Sequence, residues 1–241
     1  RSGNNTTLKL ENSRLGASGD FDKGGTGLIL ILDSQSRLDL FGNRLTNTIR
    51  IENQGHISCS NSTVRENSYL WDNKTTTGSS GVLGGSGYYR FGNVSSIETD
   101  KDFGLIKTSG QITDLEISGI YNVDGNSAKT IGDDAYIVGV NTSSSSDGQA
   151  MTISGSLTIE AKQGTGIGIL ANQLGSDDVS LKNDYSGQIY VTAKDAFGVK
   201  VGKNAAKDPS AAGDIYSLSV GGLDINNTIT SGSTQGEATG I

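Results

Sequence analysis

Apolar residues in this chain fall in short alternating runs and never in long blocks. Phe103-Gly104-Leu105, Tyr136-Ile137-Val138, Thr165-Gly166-Ile167, Phe197-Gly198-Val199 and Thr239-Gly240-Ile241 align as one recurring stretch. Their second positions, 104, 137, 166, 198 and 240, lie 33, 29, 32 and 42 residues apart. Thr26-Gly27-Leu28 fits as an earlier member. Within the copies the alternation continues, through Val138 and Val140, Ile167 and Ile169, Val199 and Val201. A period of two gives each stretch one buried and one outward face, the mark of a β-strand.

A second strand follows in each copy, as Leu115/Ile117, Met151/Ile153, Val179/Leu181 and Leu218/Val220. A third obeys the rule Gly-x-apolar-x-apolar, at Gly119–Val123, Gly155–Ile159, Gly187–Val191 and Gly221–Ile225. Gly55-His56-Ile57-Ser58-Cys59 is an earlier instance, with Ile49-Arg50-Ile51 in the second-strand position before it. No helical period of useful length competes.

Three short strands in each repeat of roughly thirty residues predict an all-β fold, a parallel β-helix (β-solenoid). One repeat cannot bury its apolar face alone, so repeats stack and share a core. Equivalent residues then form ladders, such as Leu105–Val138–Ile167–Val199, at the ~4.8 Å strand spacing. About seven repeats at that spacing make a rod of about 35 Å. The third strand follows the second at once in Ile117-Ser118-Gly119, Ile153-Ser154-Gly155 and Val220-Gly221, which predicts a corner of minimal length. Glycine there supplies backbone angles that other residues resist. The connection before the second strand varies instead: compare Asn141–Ala150 with Gly202–Tyr216. Residues 1–241 read as a single domain, with 61–101 as an elaborated coil or inserted loop.

Composition fits many short strands that each bury little. Of 241 residues, 33% are hydrophobic and 6% aromatic, with Gly at 35 and Pro at 1. A net charge of −7 without any basic block excludes a nucleic-acid partner. The longest apolar run, Leu28 to Leu32, falls far short of the ~18 residues of a membrane helix. A lone cysteine, Cys59, excludes an internal disulfide and any multi-cysteine metal site. The chain opens Arg1-Ser2-Gly3, which suggests a processed or trimmed product.

Irregular three-strand coils, abundant Gly, Asn, Ser and Thr, scarce cysteine and an acidic balance together resemble bacterial autotransporter passengers and adhesin β-helices. The likeness covers about residues 25–60 and 102–241 and is architectural. It implies a right-handed β-helix, secreted and then held at the cell surface or released. Such a chain is expected to be a non-enzymatic stalk or binding scaffold. Its expected partners are host or neighbouring cell surfaces, glycans, or further copies joined through open coil ends. The resemblance carries over no catalytic residue and no cofactor.

Candidate chemistry reduces to a few places. Gly164–Gln173 matches the spacing of a dinucleotide fingerprint, yet apolar alternation runs through its glycines and no helix pattern follows, so it reads as a coil strand. Gly24-Gly25-Thr26-Gly27 and Gly84-Gly85-Ser86-Gly87 start like calcium-binding nonapeptides, but Ile29 and Tyr89 stand where the Asp is needed. The pairs Asp133-Asp134 and Asp177-Asp178 read as turn residues. His56, the sole histidine, takes an outward position, while Cys59 falls in a buried column, so the two cannot form one nucleophilic site. Composition leaves a polysaccharide lyase or hydrolase as the alternative, and a self-assembling filament subunit as another. Tyr69, Trp71, Tyr88, Tyr89 and Phe91 form the candidate binding surface, since aromatic faces stack on sugars or anchor partners. The opposing reading is that these rings cap one end of the core. Residues 237–241 match the start of a new copy, which predicts that the chain continues or that another chain completes the coil.

Overall fold

The computed structural model describes residues 6–18, 28–41, 45–46, 48–60, 69–73, 79–92, 98–99, 102–108, 112–125, 130–131, 136–141, 150–171, 183–185, 187–201, 218–219, 224–228 and 238–239. These form parallel strands in stacked sheets, with no helix among the described residues. The first sheet holds eight strands in chain order: Thr6–Leu10, Leu28–Leu32, Thr48–Asn53, Ser79–Gly84, Ile112–Ile117, Ala150–Ile153, Asn183–Tyr185 and Leu218–Ser219. The second, of 13 strands, has two arms. One arm stacks Arg14–Ser18, Arg37–Phe41, His56–Ser60, Tyr88–Gly92 and Ile120–Asp124. The other stacks Leu45–Thr46, Tyr69–Asn73, Phe103–Thr108 and Ile137–Asn141. Two long strands, Ser156–Ala171 and Gln188–Val201, pass through both arms and join them. Glu98–Thr99 and Thr130–Ile131 make a small sheet of their own.

Alternation along the first arm builds the core. In His56–Ser60 only Ile57 and Cys59 are buried, and in Ile120–Asp124 only Tyr121 and Val123. Register carries these positions from strand to strand. Leu38, Ile57, Tyr89, Tyr121, Leu157 and Ile189 make one column of buried side chains. Leu40, Cys59, Phe91, Val123, Ile159 and Val191 make the next. Tyr89 and Tyr121 stack with ring centroids 4.7 Å apart. Their hydroxyls donate to the carbonyls of Gly84 (2.9 Å) and Leu83 (2.8 Å), so the polar tips are satisfied inside the core.

Between the first sheet and this arm the chain turns a tight corner. The N–H groups of His56, Tyr88, Ile120 and Ser156 donate to the carbonyls of Ser36, Gly55, Gly87 and Gly119, each one repeat earlier. Glycine is required there mainly by close approach. A Cβ on Gly55 would stand 2.1 Å from the Ser36 oxygen, one on Gly155 2.7 Å from that of Gly119, and one on Gly187 1.9 Å from that of Gly155. Among the described glycines only Gly119 (φ +116°) and Gly85 (φ +107°) take the left-handed angles expected from sequence, and Asn12 (φ +43°) takes one at the first corner.

Several register assignments read from sequence move. Leu28–Leu32 belongs to the first sheet and pairs with Thr48–Asn53, so it is not a copy of the Phe103–Leu105 stretch. The second-strand position after Met151/Ile153 is held by Asn183 and Tyr185, four residues beyond Val179/Leu181. Ile225 pairs with Ile189 and Asn227 with Val191, a shift of two. Val138 pairs with Gly104, not Leu105, and Ile167 with Phe197, not Val199. Within 61–101, Tyr69–Asn73, Ser79–Gly84 and Tyr88–Gly92 each take a regular place in a sheet. Residues 24–27, 133–134, 142–149, 177–181, 202–217, 220–223 and 240–241 lie outside the described residues, so the readings that fall on them have no structural counterpart here. Ala238–Thr239 pairs with Ala196–Phe197 as the next strand of the stack.

Candidate functional site

The outward face of the first arm sets several charged side chains beside a half-buried tyrosine. Register sets Arg14, Arg37, His56, Tyr88 and Ile120 in one row along the stack. Gly16, Asp39, Ser58, Arg90 and Asn122 form the adjacent row. Each row advances by one strand spacing, ~4.8 Å, per residue. The backbone dictates this, because residues i and i+2 of every strand must face the same way.

Asp39 is the electrostatic centre, only 6% exposed. Arg14 approaches with Nε at 3.1 Å and Nη2 at 3.0 Å from Oδ2. Arg37 Nε lies 2.7 Å from Oδ1 and 2.9 Å from Oδ2, and the Ser58 hydroxyl donates to Oδ1 at 2.7 Å. Burial alone would raise the Asp39 pKa, but the bonds from Ser58, Arg37 and Arg14 outweigh it and hold the carboxyl below its ordinary value. Two guanidinium groups on one carboxylate leave a net positive charge. Arg37 is held through Nε, and Arg14 through both Nε and Nη2. Nη1 of Arg14 and both Nη atoms of Arg37 have no partner among the described residues. Further along, Arg90 Nη2 pairs with Asp124 at 3.2 Å.

His56 sits between these arginines and Tyr88, whose ring meets it edge-on at 4.9 Å. Burial, then the neighbouring charge of Arg37, lowers its pKa below the ordinary histidine value, and Asp39 opposes this only in part. The imidazole is therefore neutral at neutral pH. Cys59 lies 2% exposed in the core, on the opposite side of the strand, as alternation requires. The histidine and the thiol do not meet.

Of the five aromatics expected to offer a surface, four are interior. Tyr69, Trp71, Tyr89 and Phe91 are at most 2% exposed, so their rings cannot stack on a ligand. Tyr89 and Phe91 are turned inward by alternation, following the rule in Gly87-Tyr88-Tyr89-Arg90-Phe91, whereas Tyr69 and Trp71 lie in a stretch, Tyr69–Asp72, buried on both faces. Tyr88 alone takes an outward position and is half-buried. Arg14, Arg37 and Asp39 were not singled out from sequence. The signal was Arg37-Leu38-Asp39-Leu40, which keeps the x-apolar-x-apolar pattern without the leading glycine.

A second polar group lies on the other arm. Tyr69, Gly104, Val138, Ile167 and Phe197 share one row, and Tyr69, Val138, Ile167 and Leu170 form a small apolar cluster apart from the main core. Asn141 Nδ2 donates to the Tyr69 hydroxyl at 2.6 Å and lies 3.3 Å from Asp102 Oδ2. Tyr69 thus reaches across the intervening strand at Gly104. Burial, reinforced by the charge of Asp102, pushes the hydroxyl pKa far above its ordinary value. That phenol stays protonated and serves as a brace.

Gly164–Ala171 lies within the strand Ser156–Ala171, paired on both sides. The gap lined by Leu45, Leu70, Trp71 and Tyr121 has no space for a water molecule. Among the described residues no three His, Cys, Asp or Glu side chains gather as metal ligands, and no helix is long and apolar enough to cross a membrane. No family model, no curated protein and no solved structure matches the chain.

Proposed function

We propose that the chain winds as a right-handed parallel β-helix of three strands per coil and works as a non-enzymatic adhesive scaffold at a bacterial surface. It is secreted in the manner of an autotransporter passenger. The supporting observation is the unbroken parallel pairing of the first arm, from Arg14–Ser18 through Asp224–Thr228. Such pairing lays outward side chains in straight rows on a rigid, extended face. A face of this kind engages a surface or an extended polymer at many points at once, and weak contacts then sum.

The binding face in this reading is the row from Arg14 to Ile120, not the aromatic group of residues 69–91. Beads coated with the protein are applied to cells, with and without enzymatic removal of surface glycans. The expected result is retention that falls after glycan removal and falls with Tyr88→Ala/Ile120→Ser. No retention on any cell or glycan surface would reject the adhesive role. Release of new sugar ends from a glycan would replace it with an enzymatic one.

A further inference from the structure

We propose that the row Arg14–Arg37–His56–Tyr88–Ile120 is a binding site for a linear anionic polysaccharide, with the two arginines holding its carboxylate or sulfate groups. This rests on the adhesive reading above and names its ligand class. Charge supplies the first argument. The protein is acidic, with a net charge of −7. Yet here two guanidinium groups converge on the single carboxylate of Asp39. Asp39 is buried beneath them and grips Arg37 by Nε and Arg14 by Nε and Nη2. It therefore acts as a positioning residue that fixes both forks, while Arg14 is 72% and Arg37 43% exposed. A fixed guanidinium such as that of Arg37, whose Nη atoms have no partner among the described residues, suits the planar, bidentate capture of an oxyanion.

Geometry supplies the second. The half-buried Tyr88 ring and Ile120, 50% exposed, continue the same row past His56. Arg14 to Ile120 spans four strand steps, about 19 Å at the usual spacing. The step is close to the length of one pyranose unit in an equatorially linked chain, so successive sugars meet successive strands. An extended peptide advances by ~3.4 Å per residue and falls out of step. It also cannot add as a strand over Arg37, His56, Tyr88 or Ile120, because their strands are already paired on both sides. Anionic sugars thus meet arginines at one end of the row and apolar or aromatic faces at the other.

The test measures binding of a linear polyuronate, its carboxyl-reduced neutral form and polyglutamate to the whole chain by calorimetry, at low and moderate salt. The expected result is polyuronate binding that weakens with salt, with the neutral form and polyglutamate at least tenfold weaker. Arg37→Lys keeps the charge but loses the fork, and Arg14→Gln leaves Asp39 held by Arg37. Each is expected to weaken polyuronate binding at least tenfold while the melting temperature stays within a few degrees. Arg50→Gln, on the first sheet, is expected to change nothing. Equal binding of the neutral form, equal binding of polyglutamate, or wild-type affinity in both arginine variants would overturn the proposal. Should polyuronate fail to bind while coated beads still adhere to cells, this inference falls and the adhesive reading stands. If adhesion is lost too, both fall.

Discussion

Replacing Gly187 by alanine tests whether the corner is as tight as its hydrogen bonds imply. An added Cβ would lie 1.9 Å from the Gly155 oxygen and 2.9 Å from its carbonyl carbon. Ordinary contact begins at 3.4 Å, so the two corners must part by about a third of the ~4.8 Å strand spacing. The obstacle is backbone, not the end of a flexible side chain, and cannot swing away. Overpacking of this kind costs roughly 1–3 kcal/mol, and with the clash this severe the upper end applies. For a chain of this size, about 3 kcal/mol lowers the melting temperature by about 6–12 °C. Gly84→Ala is the matched control. Its Cβ would rest 3.4 Å from Ser118 Oγ and Val82 Cγ1, an ordinary contact, so stability is expected to hold or rise slightly. Circular dichroism melts of the two variants beside the parent make the comparison. A Gly187→Ala protein that melts within a degree of the parent would refute the argument from close approach.

Trp71 is the sole tryptophan and is 1% exposed, so native emission is expected to be blue-shifted and nearly immune to acrylamide. Free quenching would place it at the surface. Tyr69→Phe removes one acceptor of the Asn141 amide and is expected to cost about 0.5–1.5 kcal/mol by denaturant titration. An unchanged midpoint would show that the remaining partners of Asn141 suffice. Asp39 titrates lower folded than unfolded, so its stabilisation holds above the ordinary carboxylate pKa of about 3.9 and fades as pH falls through the lower native value. Asp39→Asn is expected to flatten that acid limb. His56 is also depressed, but as a base: the unfolded chain takes up its proton first, so stability declines as pH drops below about 6.5 and levels off below the native value. His56→Gln is expected to remove that slope, and persistence of the slope would assign it elsewhere.

Alternation made the strands and their faces legible, because side-chain direction has a period of two. It could not fix register, since a slip of two residues preserves every face. That is why Ile225 could be set against Val191 in sequence while it pairs with Ile189 in the structure. Alternation also fails where a strand is buried on both faces. Phe103, Gly104, Leu105 and Ile106 are all buried, so no polar residue marks the frame, and Leu105 took the place that belongs to Gly104. The candidate site was harder still. Its residues come from different repeats, and Arg14, Arg37, His56 and Tyr88 become neighbours only through pairing across strands. Aromatic clustering in residues 69–91 points instead to interior rings, because Tyr89 and Phe91 alternate inward and Tyr69–Asp72 is buried on both faces.

The pairing of each strand with its counterparts in adjacent repeats has a genetic consequence. Consider an in-frame duplication that begins at Ser156 and ends at Gly187. The new copy would find the old neighbour relations on both sides, with Leu157 again beneath Ile189 and the corner glycine again over a carbonyl. Deleting one residue inside a strand would do the reverse, turning the rest of that strand's core side chains toward water. Variation is thereby channelled. Lineages can lengthen or shorten this chain by whole units far more readily than they can edit one position within a strand.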